Sequence, residues 1–232
     1  MEFFILGFLP YLTLLVFIPA MAYRIRVWIK TPQPAAITLF PAPVGKAATF
    51  WGVFRESLFF PGLFLGDKFL WASAWIFHAT LALIVVGHIR VFTDFPGLWA
   101  ALGINADRMS AISGGTAGLL ILAMALVLLA RRLAIRRVRE VTNFADTLVL
   151  LLIIAVLVTG NALRFGEHFN LELTRRYFSQ LAGFSLSAES LPGSPMFTLH
   201  FLLAQLLFVF LPFSKILHLG GIFFTQTLIQ RA

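Results

Sequence analysis

The sequence predicts an all-α integral membrane protein of five transmembrane helices, with the N-terminus outside and the C-terminus cytoplasmic. Three observations lead there. The chain is 59% hydrophobic and 12% charged, with a mean hydropathy of +0.91, too apolar for a domain that turns its whole surface to water. Its apolar stretches at 3–23, 69–90, 111–130, 144–163 and 196–218 each approach the ~20 residues a helix needs to cross a bilayer. Its basic residues are unevenly divided between the two sides that such helices define. No polar block is long enough to fold separately, so residues 1–232 read as one membrane domain.

The first stretch, 3–23, contains Ala20-Met21-Ala22, the small-residue pattern of a signal cleavage site. A secretory signal begins with positive charge, whereas Glu2 precedes this run and Arg24, Arg26 and Lys30 follow it. That polarity suits a retained helix entering from outside. Residues 24–68 then form a cytoplasmic loop carrying Pro32, Pro34, Pro41 and Pro43, followed by an aromatic patch from Phe50-Trp51 to Phe64 that Arg55 and Glu56 interrupt. This loop is not expected to cross; its aromatics beside a few charges suit an interfacial segment or a docking surface for a cytoplasmic subunit.

The second stretch, 69–90, carries His78 and His88, and the fifth, 196–218, carries His200 and His218. The third, 111–130, opens on Gly114, Gly115 and Gly118, which suit either a close approach to a cofactor edge or a small-residue helix contact. At the head of the fourth, 144–163, Asn143 and Asp146 have the spacing of an N-cap and its reciprocating acid. Gln205 lies mid-membrane, suited to a cofactor contact or to a bond across helices. The fifth histidine, His168, falls in an outer polar loop and reads as solvated.

With the N-terminus outside, the cytoplasmic segments hold Arg24, Arg26, Lys30, Lys46, Arg55, Lys68, Arg131, Arg132, Arg136, Arg137, Arg139, Lys215 and Arg231, leaving Arg90, Arg108, Arg164, Arg175 and Arg176 outside. The run from Arg131 to Arg139 lies in a short loop, where the positive-inside rule is strongest. The net charge of +8 therefore reflects topology and anionic lipid, and no nucleic-acid partner is expected. There are no cysteines, which excludes disulfides, thiol nucleophiles, iron-sulfur clusters held by this chain and covalent haem attachment. Any cluster must sit on a partner.

Ionisable side chains inside a span are costly and usually mark function. The second helix runs from inside to outside and the fifth runs back, so antiparallel topology matches His88 with His200 near the outer face and His78 with His218 near the inner. At 1.5 Å per residue the ten-residue spacing in the second helix is ~15 Å and the eighteen-residue spacing in the fifth is ~27 Å. Pro212 supplies a kink to absorb the difference. Eighteen residues are also five turns, which would set His200 and His218 on one face.

One histidine from each of two facing helices gives six-coordinate haem iron, suited to passing electrons and poorly suited to binding oxygen. Two haems b at two depths would carry an electron across much of the bilayer. The alternative readings are a bond from each histidine to a neighbouring helix, the proton relay of a transporter, and a bare membrane anchor. Matched pairs favour the haems, and neither helix has the i, i+3 or i, i+4 pair that a bare metal ion needs. Arg90 and Lys215, each within a turn of a proposed ligand, could pair with haem propionates or reach to lipid headgroups.

Over most of 69–220 the pattern resembles the gamma subunit of respiratory nitrate reductase and its relatives, including the membrane subunit of sulfite-reduction-associated complexes. The resemblance rests on the spacings His78/His88 and His200/His218, on Gly87-His88, on Ser113-Gly114-Gly115-Thr116-Ala117-Gly118, on the Arg131 to Arg139 loop and on Pro212-Phe213-Ser214-Lys215 with His218. It implies an electron-transfer subunit of a quinol-linked oxidoreductase in a bacterial or archaeal cytoplasmic membrane, without a complete active site beyond quinol oxidation. It also implies a quinol near the outer haem, with Gly87, His88 and Arg90 as candidates, and delivery of electrons to a cytoplasmic iron-sulfur partner resembling either the nitrate reductase beta subunit or the iron-sulfur subunit of heterodisulfide reductase. The lysine that nitrate reductase gamma subunits carry before the third helix falls at Ala106, beside Asp107 and Arg108, which leaves quinone species and direction of flow open. The long aromatic first loop, with Arg55-Glu56-Ser57-Leu58, looks more like the sulfite-reduction branch.

Overall fold

The computed structural model describes residues 2–31, 45–166, 170–218 and 220–221. Pro32, Pro34, Pro41, Pro43, His168 and Arg231, each assigned a place above, lie outside the described residues. Among the described residues five helices are long and apolar enough to cross a membrane: Phe4–Lys30, Lys68–Val91, Ala106–Ala134, Phe144–Phe165 and Pro195–Phe213. They correspond one for one to the expected stretches, and the first and third run beyond them, since polar residues at bilayer-facing ends extend a helix without needing an apolar partner.

In chain order the α-helices are α1 (Leu9–Lys30), α2 (Gly45–Phe59), α3 (Pro61–Gly66), α4 (Lys68–His88), α5 (Pro96–Leu102), α6 (Ala106–Ala134), α7 (Arg136–Val141), α8 (Phe144–Phe165), α9 (Leu171–Ala182) and α10 (Pro195–Phe210). The five spans form an arc: α4 packs on α6, α6 on α8, α8 on α10 and α10 on α1. Phe77, Ile121, Ala125 and Leu157 knit α4, α6 and α8 together, and Leu6, Leu163, Tyr177, Leu181 and Phe197 join α8, α9 and α10 to the first span. The opposite faces, with residues such as Leu15, Ile18 and Val86, stay exposed and apolar, as lipid-facing surfaces do.

Local chemistry fixes the ends. Asp67 caps α4, accepting from the Leu70 N–H at 2.9 Å, and its other oxygen takes Arg131 at 2.8 Å, tying α4 to the end of α6. These two contacts, in that order, hold its carboxyl below the usual carboxylate range. Asn143 and Asp146 form the expected capping box at the start of α8. The glycines of α6 make a helix contact: Gly114 and Gly115 stand against Arg164 and Phe165, and a Cβ at Gly118 would lie 2.6 Å from Asn161 Oδ1. Asn161 in turn donates to the Gly118 carbonyl at 3.0 Å and to Leu157 at 2.8 Å.

The first span opens on a π-helical stretch, Phe4–Phe8, just before Pro10. Pro10 has no N–H, so the Leu6 carbonyl four residues earlier has no helical donor. In the i→i+5 register the Ile5 carbonyl loses its donor for the same reason. Both are met from elsewhere: the Tyr177 hydroxyl donates to Leu6 at 2.6 Å, and Gln205 Nε2 donates to Ile5 at 3.2 Å. Gln205 also accepts from Thr13 at 3.3 Å, so of its two expected uses the bond across helices is the one seen. Tyr177 is fully buried, and that burial raises its hydroxyl pKa.

The fifth span departs from expectation. Pro212 does more than kink it: helix gives way to a 3-10 turn at Leu211–Phe213, and Ser214 is extended at φ −111° and ψ 166°. Ser214 Oγ then accepts from the Ile216 N–H at 3.3 Å and starts a second turn, Lys215–Leu217, that delivers His218. The five-turn argument for a shared face of His200 and His218 therefore fails, because the backbone leaves the helix between them.

Candidate functional site

α4 is one unbroken helix through His78 and His88, so the two levels they mark are ~15 Å apart along its axis. The partners come from the other end of the arc. α10 carries His200 and the turn after Ser214 carries His218. Among the described residues α4 and α10 make at most slight backbone contact, yet the rings of His78 and His218 are 5.7 Å apart, centre to centre, and nearly perpendicular at 87°. His88 and His200 lie within electrostatic reach of each other at the other level. The residues that topology matches thus stand near one another, His78 by His218 and His88 by His200.

Each imidazole is oriented through Nδ1. In His78 it bonds the Ala74 carbonyl at 2.7 Å, in His88 the Ile84 carbonyl at 2.7 Å and in His218 the Lys215 carbonyl at 3.0 Å. A carbonyl only accepts, so in these three rings Nδ1 carries a proton, which in the neutral form leaves the Nε2 lone pair free. His200 Nδ1 faces the Thr159 hydroxyl at 3.0 Å. That hydroxyl directs its own proton to the Ala155 and Val156 carbonyls, at 2.9 and 3.0 Å, and so is placed to accept from the imidazole. An imidazole held through Nδ1 in this way presents Nε2 outward, the nitrogen through which a neutral histidine binds iron.

The arrangement fits haem b. Two imidazoles bonded to one metal from opposite sides, at about 2 Å per bond, put their ring centres roughly 6 Å apart, close to the 5.7 Å of His78 and His218. Among the described residues no group of three or more histidine or acidic side chains is gathered as a bare-ion site.

Gly160, which sequence reasoning passed over, makes room for His200: a Cβ there would meet the ring Cε1 at 3.1 Å. With Thr159 and Asn161 it forms a polar run, Thr-Gly-Asn, inside an otherwise apolar helix, and that run was the available signal. Gly87 has nothing within 4 Å of where a Cβ would stand, so its surroundings are open.

Arg90, a candidate for a haem propionate or for lipid headgroups, sits in an ion-pair network. Its guanidinium clasps Asp94 through two bonds of 3.1 and 2.9 Å and also reaches Asp107 at 2.8 Å and the Ala106 carbonyl at 3.1 Å. Asp94 further receives Arg175 at 2.7 Å and Trp99 at 3.3 Å. Arg90, and after it Arg175, hold the Asp94 carboxyl well below the usual range. Sequence reasoning missed this clasp because its members come from α5, α6 and α9 as well as the end of α4. At the opposite level Lys215 is largely exposed and pairs with Asp146 at 2.7 Å.

Residues 62–230 match the family described as nitrate reductase gamma subunit. Among curated proteins the chain is similar to a Hdr-like menaquinol oxidoreductase cytochrome b-like subunit of Archaeoglobus fulgidus, 27% identical over 94% of this chain and 76% of that one. It is also similar to the nitrate reductase gamma chain of Bacillus subtilis, 28% identical over 66% of this chain and 73% of that one. The respiratory nitrate reductase 1 gamma chain of Escherichia coli is 29% identical over 63% and 69% respectively.

Proposed function

The chain belongs to the nitrate reductase gamma subunit family, and from that membership and the two histidine pairs we propose that it is the di-haem b subunit of a quinol-linked membrane oxidoreductase. His88 and His200 hold the outer haem, and His78 and His218 the inner. The N-terminus is outside and the C-terminus cytoplasmic, in keeping with the basic residues. The single observation that carries the reading is four imidazoles with Nδ1 engaged, set as two facing pairs at two depths of one bundle.

Haem b bound at both levels supplies one-electron transfer between the membrane faces. The chain's own residues orient the ligands through Ala74, Ile84, Thr159 and Lys215, exclude water with the aromatic and aliphatic faces around them, and keep α4 and α10 apart. Gly87 and His88 mark the quinol side, where open space adjoins the outer pair. Lys215 retains N–H groups beyond its bond to Asp146 and stays a candidate for an inner propionate.

Electrons pass between the quinone pool and a cytoplasmic iron-sulfur subunit, in sulfur metabolism and with a heterodisulfide reductase-like partner. The favouring observation is coverage: the relatives called Hdr-like align along 94% of this chain, whereas the nitrate reductase chains align over about two thirds. The test is the pigment of the purified subunit. Two haems b per chain are expected, with His88→Ala and His200→Ala each losing one and the same haem, and His78→Ala and His218→Ala each losing the other. Absence of pigment, or a variant in either pair that keeps both haems, would refute the assignment.

A further inference from the structure

The turn between α2 and α3 is strained. Phe60 has φ 50° and ψ 48°, a left-handed conformation that is unfavourable for a bulky side chain. Pro61 follows it and disfavours the right-handed helical region at Phe60.

The strain is held by the face of α4 that carries His78. Trp71, Trp75 and His78 are spaced i, i+4 and i+7 and so share that face. The Trp71 indole donates to the Phe59 carbonyl at 2.7 Å and the Trp75 indole to the Leu58 carbonyl at 3.0 Å. Phe64 adds an edge contact on Trp71, ring centres 4.9 Å apart. Fixed at both sides, the turn aims the half-buried Phe60 ring at the His78 imidazole, 5.3 Å between centres and edge-on at 74°. Phe77 packs on the same imidazole at 5.4 Å. Leu58, Phe59 and Phe60 all precede the part of the chain that matches the family.

We propose that Phe60 is a positioning residue for the inner histidine pair, a ring held at a left-handed turn to fix the His78 imidazole and shut water out from its cytoplasmic side. The inference rests on the reading of His78 as a haem ligand. Water near a haem favours the ferric state, which carries one more positive charge than the ferrous. Removing the ring therefore shifts the inner haem's reduction equilibrium toward ferric and loosens the ligand's orientation.

The test is a redox titration with electron paramagnetic resonance on the full-length chain. Phe60→Gly removes the ring at a φ that glycine adopts freely, and Phe60→Asn, also tolerant of that φ, adds polarity. Both should shift the inner haem about tenfold toward ferric, which is 59 mV for one electron, and broaden its low-spin signal. The outer haem should not move, and Phe60→Tyr should stay within threefold of wild type. His78→Ala identifies the inner signal by losing it. If that signal is lost in His78→Ala but unchanged in both Phe60→Gly and Phe60→Asn, the role of Phe60 is overturned while the ligand assignment stands. If His78→Ala keeps both haems, the ligand assignment fails and this inference with it.

Discussion

The Thr159 hydroxyl stands 3.0 Å from Nδ1 of His200, reaching from α8 to α10, whereas the other three histidines are oriented by carbonyls of their own local chain. Of the four, His200 alone has its Nδ1 partner on a neighbouring helix. Thr159→Val keeps the shape and removes the acceptor. The outer haem should then bind on the order of 10–100 times more weakly, the usual consequence of losing a ligand's supporting partner. Haem retention through washing, read from the absorbance of the outer haem, checks this, and an unchanged outer haem would refute it.

Gly160→Ala tests the same ring by crowding. The added methyl would meet His200 Cε1 at 3.1 Å, so either the ring or α8 must give, at about 1–3 kcal/mol. The expected outcome is a shifted low-spin signal for the outer haem and none for the inner, with Gly160→Val losing the outer haem.

Asp94 supplies a pH test. Its carboxyl is depressed by Arg90 and Arg175, so the clasp stabilises the fold fully above the unfolded carboxylate value of about 4 and is lost as pH falls through the depressed value. Thermal unfolding in detergent should therefore show no clasp-dependent change between pH 7 and 5 and a loss below 4. Asp94→Asn should cost about 1 kcal/mol at pH 7, modest because water still reaches the pair, and should flatten the acid dependence. Equal acid sensitivity in the variant and wild type would count against the clasp.

Pro10 and Tyr177 invite a double-mutant cycle. Tyr177→Phe leaves the Leu6 carbonyl buried without a donor, at ~1–3 kcal/mol. Pro10→Ala returns an N–H four residues after Leu6, so in that background Tyr177→Phe should cost at most half as much. Unfolding midpoints of the four proteins decide it; additive costs would show that the hydroxyl does not serve the orphaned carbonyl.

Where the physics is periodic or topological, the sequence was legible. Antiparallel direction alone paired His78 with His218 and His88 with His200, and the Asn143-Asp146 spacing announced its capping box. Features assembled from distant segments were not. Arg90 looked like a free cation near a ligand, since Asp107 meets it only after α5 has turned the chain back. Pro212 signalled a disturbance, but whether it bends or ends the helix depends on Ser214 finding Leu211 and Ile216 as partners. Thr159 and Gly160 could have been flagged as polar and small residues in lipid, yet nothing local says that His200 lies opposite.

The open carbonyls of Ile5 and Leu6 bear on how the chain is built. Their donors, Gln205 and Tyr177, come 200 and 171 residues later. A ribosome delivers the first span long before either exists, so that span enters the bilayer with acceptors that hydrocarbon cannot satisfy. It must linger where water or the insertion machinery can shelter it, and it docks only when the last span arrives. Of the five spans, the first in chain order is in this sense the last to be finished.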